Sequence, residues 1–284
     1  MIVTRISDGF GNQLFMYACG YALSRKLNTG LALDTTMLAT NPSRSLEINK
    51  LNIQYDKLIT INDYRTKFAK VVSRFLIHKY IRMKYRFYVE TTPYVYESGI
   101  QQISDNTYIQ GYWQSEKYFS EYRNDLLRLF LPKYEQSRPC KECMDEVGKC
   151  NSVAIHVRRG DYNKIGVCIG KEYYLNAIEK MKNCIDDPVF YVFSDDLGEA
   201  KKLFQNLNGT FVYVQYLSDN LTLDDFFIMK ACRHQIIANS SYSWWAAWLN
   251  ENDEKIVICP EYKQWTGDFY PENWILIKCI GRES

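Results

Sequence analysis

Residues 152–162 read Ser-Val-Ala-Ile-His-Val-Arg-Arg-Gly-Asp-Tyr, an apolar run that is followed at once by a charged cluster. The apolar part predicts a buried strand over 152–157, with two adjacent arginines at its C-terminal end. Each guanidinium offers a planar fork of donors that matches phosphate or carboxylate oxygens. In an open α/β sheet, ligands bind outside the carboxyl ends of the strands. The stretch therefore predicts an anion site, with pairing to surface carboxylates as the alternative.

Strands and helices alternate along the rest of the C-terminal half. Four more predicted strands are separated by helical patterns, at 189–193, 211–214, 235–238 and 255–259. This alternation indicates a parallel, doubly wound α/β sheet. Near the N-terminus, a strand, a glycine loop, a helix and a second strand begin another α/β unit. The polar residues 133–150 predict the boundary between an N-terminal domain, 1–149, and a C-terminal domain, 150–284.

Composition excludes several classes of protein. The net charge of the 284 residues is +2, whereas a general nucleic-acid binder normally has a clear basic excess. No run approaches the ~20 apolar residues of a membrane span, and no secretory signal is evident, so we expect a cytoplasmic protein. The nine cysteines are odd in number and are interpreted as reduced thiols. Cys140, Cys143 and Cys150 lack a matching fourth ligand nearby, so zinc binding is the less favoured interpretation.

Polar clusters follow three of the predicted strands. They contain His156, Arg158, Arg159 and Asp161, then Ser194, Asp195 and Asp196, then Asn239, Ser240, Ser241 and Ser243. Parallel strand ends meet at one edge of a sheet, and a helix N-terminus after Asn239 favours a phosphate. Asp196 is a candidate acceptor for paired ring N–H groups of a base such as guanine. Taken one by one, the serines as helix caps and the aspartates as a helix start are the simpler interpretations. Taken together, the three clusters predict a site for a nucleoside diphosphate that needs no metal.

The N-terminal loop is rich in glycine. Gly9, Gly11, Asn12 and Gln13 stand between the first predicted strand and a helix of about 13–27. Leu14 replaces the third glycine of a dinucleotide fingerprint, so that motif is absent. A P-loop is absent as well, because no Gly-Lys-Ser/Thr follows the loop. Backbone N–H groups and the two amides suit polar recognition of a sugar or phosphate. The alternative is a tight turn that needs glycine for its backbone conformation.

Residues 65–86 interleave basic and apolar side chains. The pattern is typical of a basic amphipathic helix. It favours a solvated face opposite an ordinary core side, and the alternative is a surface that rests on anionic lipid headgroups at the inner membrane.

The sequence resembles a known family in four motifs. Four motifs in order are similar to those of the bacterial α-1,2-fucosyltransferases of glycosyltransferase family 11: GFGNQLFxYA at 9–18, HVRRGDY at 156–162, FSDD at 193–196 and NSSYSWW at 239–245. The arginine motif is shared with other fucosyltransferases, whereas the last motif is more specific. The resemblance implies a GT-B-like fold of two Rossmann-like domains with a cleft between them.

The resemblance also implies roles for individual residues. Arg158 would hold the β-phosphate of GDP-fucose and Arg159 would support the loop. His156 and Asp196 would contact guanine, and Ser240 and Ser241 the diphosphate. Asn239 and Ser243 complete the predicted donor-binding set. Asp161 would anchor the arginine loop, and Asn12 would face the reacting centre, with Gly9, Gly11 and Gln13 in the acceptor-side loop.

The chemistry implied is inverting and independent of metal or cofactor. The 2-hydroxyl of an acceptor would attack fucose in line while GDP leaves. We expect the acceptor to be a β-galactoside of a surface polysaccharide, either free or lipid-linked. Asp161 is the nearest candidate base by its motif, Asp8 and Glu116 are alternatives, and a reaction without a strong base is a third. Competing interpretations are another linkage, another nucleotide sugar, or a non-catalytic nucleotide-sugar or glycan-binding protein.

Overall fold

Two parallel sheets organise the chain, and each belongs to its own compact unit. The computed structural model describes residues 1–41, 43–61, 67–160, 162, 166–215, 221–262, 265 and 267–279, without the side chains of residues 67, 68, 221 and 222. Unit 1 contains Met1–Tyr134 and Thr266–Pro271. Unit 2 contains Glu135–Trp265 and Glu272–Ser284.

Unit 1 contains a five-stranded parallel sheet in the order β3-β2-β1-β5-β4. Its strands are β1 (Ile2–Arg5), β2 (Leu31–Asp34), β3 (Lys57–Ile59), β4 (Arg86–Val89) and β5 (Thr107–Gln110). Its helices are α1 (Phe10–Lys26), α2 (Thr36–Ala39), α3 (Lys67–Lys84) and α4 (Arg123–Leu129), with 3-10 turns at Glu47–Lys50, Ser98–Gln102, Glu116–Tyr118 and Ser120–Tyr122. The strand order changes direction between β1 and β5, so the loops after these two strands open at a topological switch point.

Helix α1 is buried on nearly all sides, from Phe10 to Ser24 except at Asn12. A side chain at Gly20 would place its Cβ 2.8 Å from the Cγ2 of Thr4 on β1. Glycine therefore lets the helix approach the central strand closely, and this approach fixes where the glycine loop begins.

Helix α3 turns an apolar face to solvent. Its inner side, with Ile77 and Ile81, packs against Val3 and Ala32 of the sheet. Its outer side exposes large apolar residues, namely Val71, Val72, Phe75, Leu76, Tyr80 and Met83. The core side that the sequence favours is present, and the opposite side is exposed to solvent, with large apolar residues beside the basic ones. Within the described residues, no helix is both long enough and apolar enough to cross a membrane.

Unit 2 contains a six-stranded parallel sheet in the order β11-β10-β9-β6-β7-β8. Its strands are β6 (Ser152–Val157), β7 (Val189–Ser194), β8 (Thr210–Tyr213), β9 (His234–Ile236), β10 (Val257–Glu261) and β11 (Ile275–Lys278). Its helices are α5 (Arg138–Val147), α6 (Lys171–Lys182), α7 (Leu197–Phe204), α8 (Leu221–Ala231) and α9 (Ser241–Leu249). Counted along the chain, this is the 3-2-1-4-5-6 order of the dinucleotide-binding Rossmann fold, with its switch point between β6 and β9.

The division between the units differs from the boundary predicted at 149/150. Helix α5 lies in the polar stretch 133–150 where the boundary is predicted, and it packs on α8 within unit 2. The Ser137 hydroxyl donates to Asp224 Oδ2 at 2.8 Å, and Cys140 Sγ lies 3.9 Å from the Asp224 carbonyl oxygen. Burial raises the pKa of the Cys140 thiol to about 12, which is typical of a core cysteine. Among the described residues, no group of three or more His, Cys, Asp or Glu side chains is arranged to hold a metal ion.

We expect Asp225 of α8 to make unit 2 less stable as the pH rises. Burial, followed by the nearby Asp224, raises the pKa of Asp225 to about 7. The folded protein therefore binds a proton that the unfolded chain has lost, and stability falls from about pH 4 to about pH 7. Above pH 7, Asp225→Asn should have a free energy of unfolding larger than that of the parent by about 4 kcal/mol and should unfold at a higher temperature, whereas near pH 4 the two proteins should match.

Thermal unfolding of both proteins across this pH range measures the difference. The exposed Asp253, whose carboxylate lies in the same unit, gives the control Asp253→Asn, which should follow the parent at every pH. A difference between Asp225→Asn and the parent that does not vary with pH would contradict the assignment.

Candidate active site

The arginine loop after β6 is held by a carboxylate from the next strand. Asp195 follows β7, and its Oδ1 accepts a hydrogen bond from the backbone N–H of Arg159 at 2.8 Å. Its Oδ2 forms an ion pair with Arg158 Nη1 at 2.9 Å. A Cβ on Gly160 would lie 2.5 Å from the same Oδ2, so any larger residue there would displace the carboxylate. Asp195 thus fixes the backbone and the first guanidinium of the loop together.

The two arginines have different environments. Arg159 is buried and donates from Nη1 to the carbonyl oxygen of Ile169 at 2.9 Å, so it braces the loop from inside. Arg158 is 30% exposed, and its guanidinium lies 5.2 Å from the centre of the Tyr162 ring. Arg158 is therefore the arginine available to an anion.

His156 is buried at the end of β6. Its Nδ1 lies 2.9 Å from the hydroxyl of Ser243 on α9, and Tyr174 donates to its carbonyl oxygen at 3.2 Å. Burial, and then the charge of Arg158, lower the pKa of His156 to about 3, so the ring is neutral. Ser243 is fully buried and positions the histidine, which leaves Nε2 as the ring atom for the predicted base contact.

Asp196 begins helix α7. Its Oδ1 accepts from the backbone N–H of Glu199 at 3.0 Å, and its own N–H donates to Ser194 Oγ at 3.0 Å. Oδ1 of Asp196 therefore acts as a helix cap, as in the simpler interpretation. A contact between Oδ2 and guanine stays a prediction. Sequence reasoning emphasised Asp196 and overlooked Asp195, although both stand in the same motif.

The third polar cluster contributes an unsatisfied acceptor and a helix N-terminus. Asn239 is 2% exposed, and its Nδ2 donates to the Val167 carbonyl oxygen at 2.8 Å. Its Oδ1 is buried and accepts no hydrogen bond from any described residue. Ser240 is the extended residue before α9 but makes no side-chain cap, and Ser241 is the first residue of the helix. Unpaired groups at a helix N-terminus suit an anionic ligand.

These contacts bring the predicted residues of unit 2 to one edge of its sheet. Arg158 meets Asp195, His156 meets Ser243, and the Tyr162 hydroxyl donates to the carbonyl oxygen of Asn239 at 3.1 Å. The loops after β6, β7 and β9 are thereby joined at the switch point. Asp161 lies outside the described residues, so its predicted roles stay predictions.

In unit 1, the glycine loop is held mainly by Gln13. This side chain is fully buried, donating from Nε2 to the carbonyl oxygens of Asp8 and Ser45 at 2.9 and 2.7 Å. Its Oε1 accepts from the backbone N–H of Glu47 at 3.0 Å. Gln13 therefore shapes the loop from beneath, which differs from the acceptor contact predicted for it.

Asn12 and the two glycines of the loop have different environments. Asn12 is half-buried, and its Oδ1 accepts from Gln114 Nε2 at 3.1 Å. Gly9 lies beside the Arg44 guanidinium, which a Cβ would meet at 3.3 Å, whereas Gly11 is buried.

Asp8 is a charged side chain of the loop that follows β1 at this switch point. Its backbone φ is 63°, in the left-handed region. Trp113, which follows β5, also has a left-handed φ, at 56°. Oδ2 of Asp8 accepts from the hydroxyls of Tyr112 at 2.8 Å and Ser7 at 2.9 Å, and no described residue donates to Oδ1. Burial, followed by this hydrogen bond, raises the pKa of Tyr112 to about 12, so the phenol stays a donor. Strained backbone of this kind persists where the surroundings fix it, often at functional sites.

Comparison with known proteins identifies the family. The model of glycosyl transferase family 11 matches residues 1–278. The chain belongs to glycosyl transferase family 11. An alpha-1,2-colitosyltransferase of Escherichia coli is 32% identical, with 98% of this chain and 99% of the relative covered. The O-antigen biosynthesis glycosyltransferase WbnK of Escherichia coli is 30% identical over 90% of this chain and 92% of its own.

A further relative and a solved structure are also similar to the chain. A galactoside 2-alpha-L-fucosyltransferase, Sec1 of Mus musculus, is 28% identical over 36% of this chain and 29% of its own. A solved structure of an Arabidopsis thaliana FUT1 mutant with GDP is similar with a TM-score of 0.53 and 11% identity, covering 94% of this chain and 72% of that one. The predicted GT-B-like fold with two Rossmann-like domains is confirmed. As a member of family 11, the protein is a glycosyltransferase rather than a binding protein alone.

We expect Gly160→Ala to weaken binding of GDP, the nucleotide that the motifs imply. The new Cβ would displace Asp195 and with it the guanidinium of Arg158. The loss of one charge-assisted hydrogen bond costs about tenfold or more in affinity. Isothermal titration calorimetry with GDP measures this.

Gly148→Ala is the matched control, because the nearest atom to its Cβ would be 3.6 Å away and its φ of −70° suits alanine. A folded Gly160→Ala protein with parental affinity would show that the contact is unimportant.

Proposed function

We propose that this glycosyltransferase transfers L-fucose from GDP-β-L-fucose to the 2-hydroxyl of a β-galactoside, with inversion, during O-antigen assembly. The acceptor is an oligosaccharide, and the reaction takes place in the cytoplasm, where nucleotide sugars are made. The observation that carries the proposal is the arginine loop fixed by Asp195 at the same edge of the sheet as the N-terminus of α9, where Ser240 makes no side-chain cap.

The diphosphate is the best-supported part of the donor. Arg158 supplies a positive charge, the N-terminus of α9 supplies partial positive charge, and Ser240 and Ser241 stand at that terminus. Asp195 holds Arg158 in place before any ligand arrives. Fixed charges of this kind need no metal ion to balance a pyrophosphate, so we propose a metal-independent reaction.

The sugar is supported by names of relatives and by chemistry. One relative is named as a colitosyltransferase, and more distant relatives are named as fucosyltransferases. Each name also specifies either a 1,2-linkage or transfer to the 2-position. Colitose is fucose without its 3-hydroxyl, so the two donors share a ring, a handedness and a leaving group. GDP-colitose is therefore the alternative donor within the same proposal.

Departure of GDP is the step that unit 2 would assist. As the bond from the anomeric carbon to phosphate oxygen breaks, negative charge grows on the β-phosphate. Preorganised donors aimed at that charge are often the largest contribution to catalysis. Arg158 fits this role because its ion pair orients it, and Arg159 fits the supporting role because it bonds to the backbone of its own loop.

A carboxylate on the acceptor side would take the proton of the attacking hydroxyl. Asp161 was favoured by its motif, whereas Asp8 is favoured by geometry. Two hydroxyl donors fix Asp8 through Oδ2, and Oδ1 is left for a ligand. We propose Asp8 as the base, Tyr112 as its positioning residue and Asn12 as a side chain that orients the acceptor.

We expect Arg158→Ala to lower kcat with GDP-fucose by about 10²–10³-fold, because it removes a donor to the leaving phosphate. Initial rates of GDP release at saturating acceptor measure this effect. Arg138→Ala, at an arginine of the same unit that is 89% exposed, is the control and should keep parental rates. Near-normal turnover by a folded Arg158→Ala protein would refute the role.

The base is tested by comparing Asp8→Asn with Asp161→Asn. Asparagine keeps the size of aspartate and tolerates the left-handed backbone. We expect Asp8→Asn to lower kcat by 10²-fold or more and to abolish the acid limb of the pH–rate profile. Tyr112→Phe should shift that limb while retaining most activity. A lost limb in Asp161→Asn, with Asp8→Asn unaffected, would return the role to Asp161.

Donor identity is decided by competition among GDP-fucose, GDP-colitose and GDP-mannose with one β-galactoside acceptor. A site that hydrogen-bonds the 3-hydroxyl of fucose would reject colitose by about 10⁴-fold, whereas an apolar wall there would accept it. NMR of the product gives the linkage. Preference for GDP-colitose would revise the sugar alone, and a linkage other than α-1,2 would overturn the acceptor assignment.

A further inference from the structure

The outer face of α3 is a surface feature that the transfer reaction leaves unused. Four of its apolar side chains are mostly exposed: Val71 at 62%, Phe75 at 68%, Leu76 at 58% and Met83 at 80%. Contiguous exposed apolar residues on a helix normally mark an interaction surface. We call this face, together with the exposed Tyr80 beside it, the α3 patch.

The α3 patch is not needed to hold the helix in place. Ile81 and Tyr85 are buried on the opposite side, in a cluster with Val3 and Tyr108 of the sheet. The helix thus has a complete inner face and a second apolar face in addition. Because apolar side chains on an outer face cost solubility without adding to this core, the second face calls for a partner.

Charge identifies the partner. Of the 35 Lys and Arg in the chain, seven lie in residues 67–89, a range that contains none of the 33 Asp and Glu. The remaining 28 basic and 33 acidic residues leave the rest of the chain with a net charge of −5. No described carboxylate lies within salt-bridge distance of the basic side chains at 74, 79, 82, 84 and 86. This segment therefore attracts an anionic surface, whereas the rest of the chain does not.

The basic groups stand beside the apolar ones rather than apart from them. The Arg82 guanidinium lies 5.7 Å from the centre of the Phe87 ring, and the Lys84 ammonium lies 5.8 Å from that of Tyr80. Phe87 and Val89, on the edge strand β4, extend the exposed apolar surface. Long basic side chains that cover apolar surface and end in a charge are typical of helices lying in a membrane interface.

We propose that α3 docks the enzyme on an anionic phospholipid bilayer, lying in the plane of the interface with the α3 patch inserted. The Lys and Arg side chains contact lipid phosphates, and Tyr80 lies at the headgroup level, where tyrosine is enriched. The helix does not span the bilayer. The inference is independent of the donor and concerns where the reaction takes place.

The test is flotation of the purified full chain with vesicles. We expect binding to mixed vesicles of phosphatidylcholine and phosphatidylglycerol, weakened by added salt, and little binding to phosphatidylcholine alone. Phe75→Ser with Met83→Ser removes insertion, and Lys79→Glu with Arg82→Glu reverses the charge. Each double variant should bind the mixed vesicles about tenfold or more weakly.

Matched controls separate this surface from general effects. Leu276→Ser changes an apolar residue of unit 2 that is 54% exposed, and Lys171→Glu with Lys180→Glu reverses two exposed charges on α6. Both should bind as the parent does. All variants should keep the parental rate with a short water-soluble acceptor, which shows that they are folded.

Three results would overturn the proposal. They are no binding of the parent to the mixed vesicles, equal binding to both kinds of vesicle, and equal losses in the controls and the α3 variants. A parent that is dimeric by light scattering and becomes monomeric on Phe75→Ser with Met83→Ser, without vesicle binding, would assign the face to a second copy instead.

Discussion

The bridge from Asp195 to the arginine loop is the contact on which the donor site depends. One carboxylate holds a backbone N–H and a guanidinium that belong to neighbouring residues, so the loop after β6 cannot move without losing both. The pair is partly exposed, and ion pairs of this kind add little to stability. The ion pair would act by positioning Arg158, because a guanidinium that is already oriented needs no reorganisation energy when charge develops on a phosphate. The tight fit at Gly160 is the steric counterpart of the same constraint.

Both sheets place polar loops where the strand order changes direction, but they stabilise them differently. In unit 2 the loops after three strands are tied by side chains that also belong to the proposed donor site. In unit 1 the buried Gln13 supports the glycine loop from beneath, and the carboxylate of Glu90 accepts from the backbone N–H of Tyr112 at 2.7 Å. Burial raises the pKa of Glu90, which shows how enclosed that support is. Two residues with left-handed backbone, Asp8 and Trp113, are held by these supports.

Local pattern was enough to place the strand ends and the helix after Asn239, because apolar runs bounded by polar clusters are local signals. It could not separate Asp195 from Asp196, since their orientation depends on register: Val157 pairs with Ser194, which sets Asp195 beside Arg158. It missed α5, whose polar surface conceals Cys140 and its contact with Asp224. It could not decide how much apolar surface α3 exposes, because a helix with apolar residues on both sides has the same composition as one with a core face and a polar face.

The separation of charge along the chain bears on orientation as well as affinity. A protein with a small net charge of +2 would be only weakly drawn to an anionic bilayer if its charges were mixed evenly. Here the basic segment is compact and the remainder is acidic, so attraction acts at α3 while the rest of the surface is repelled. Screening limits both effects to about 8 Å at physiological salt, which means that only charges close to the lipid count. The protein would therefore bind a bilayer with α3 facing the lipid. The apolar side chains between the basic ones would then insert below the headgroups.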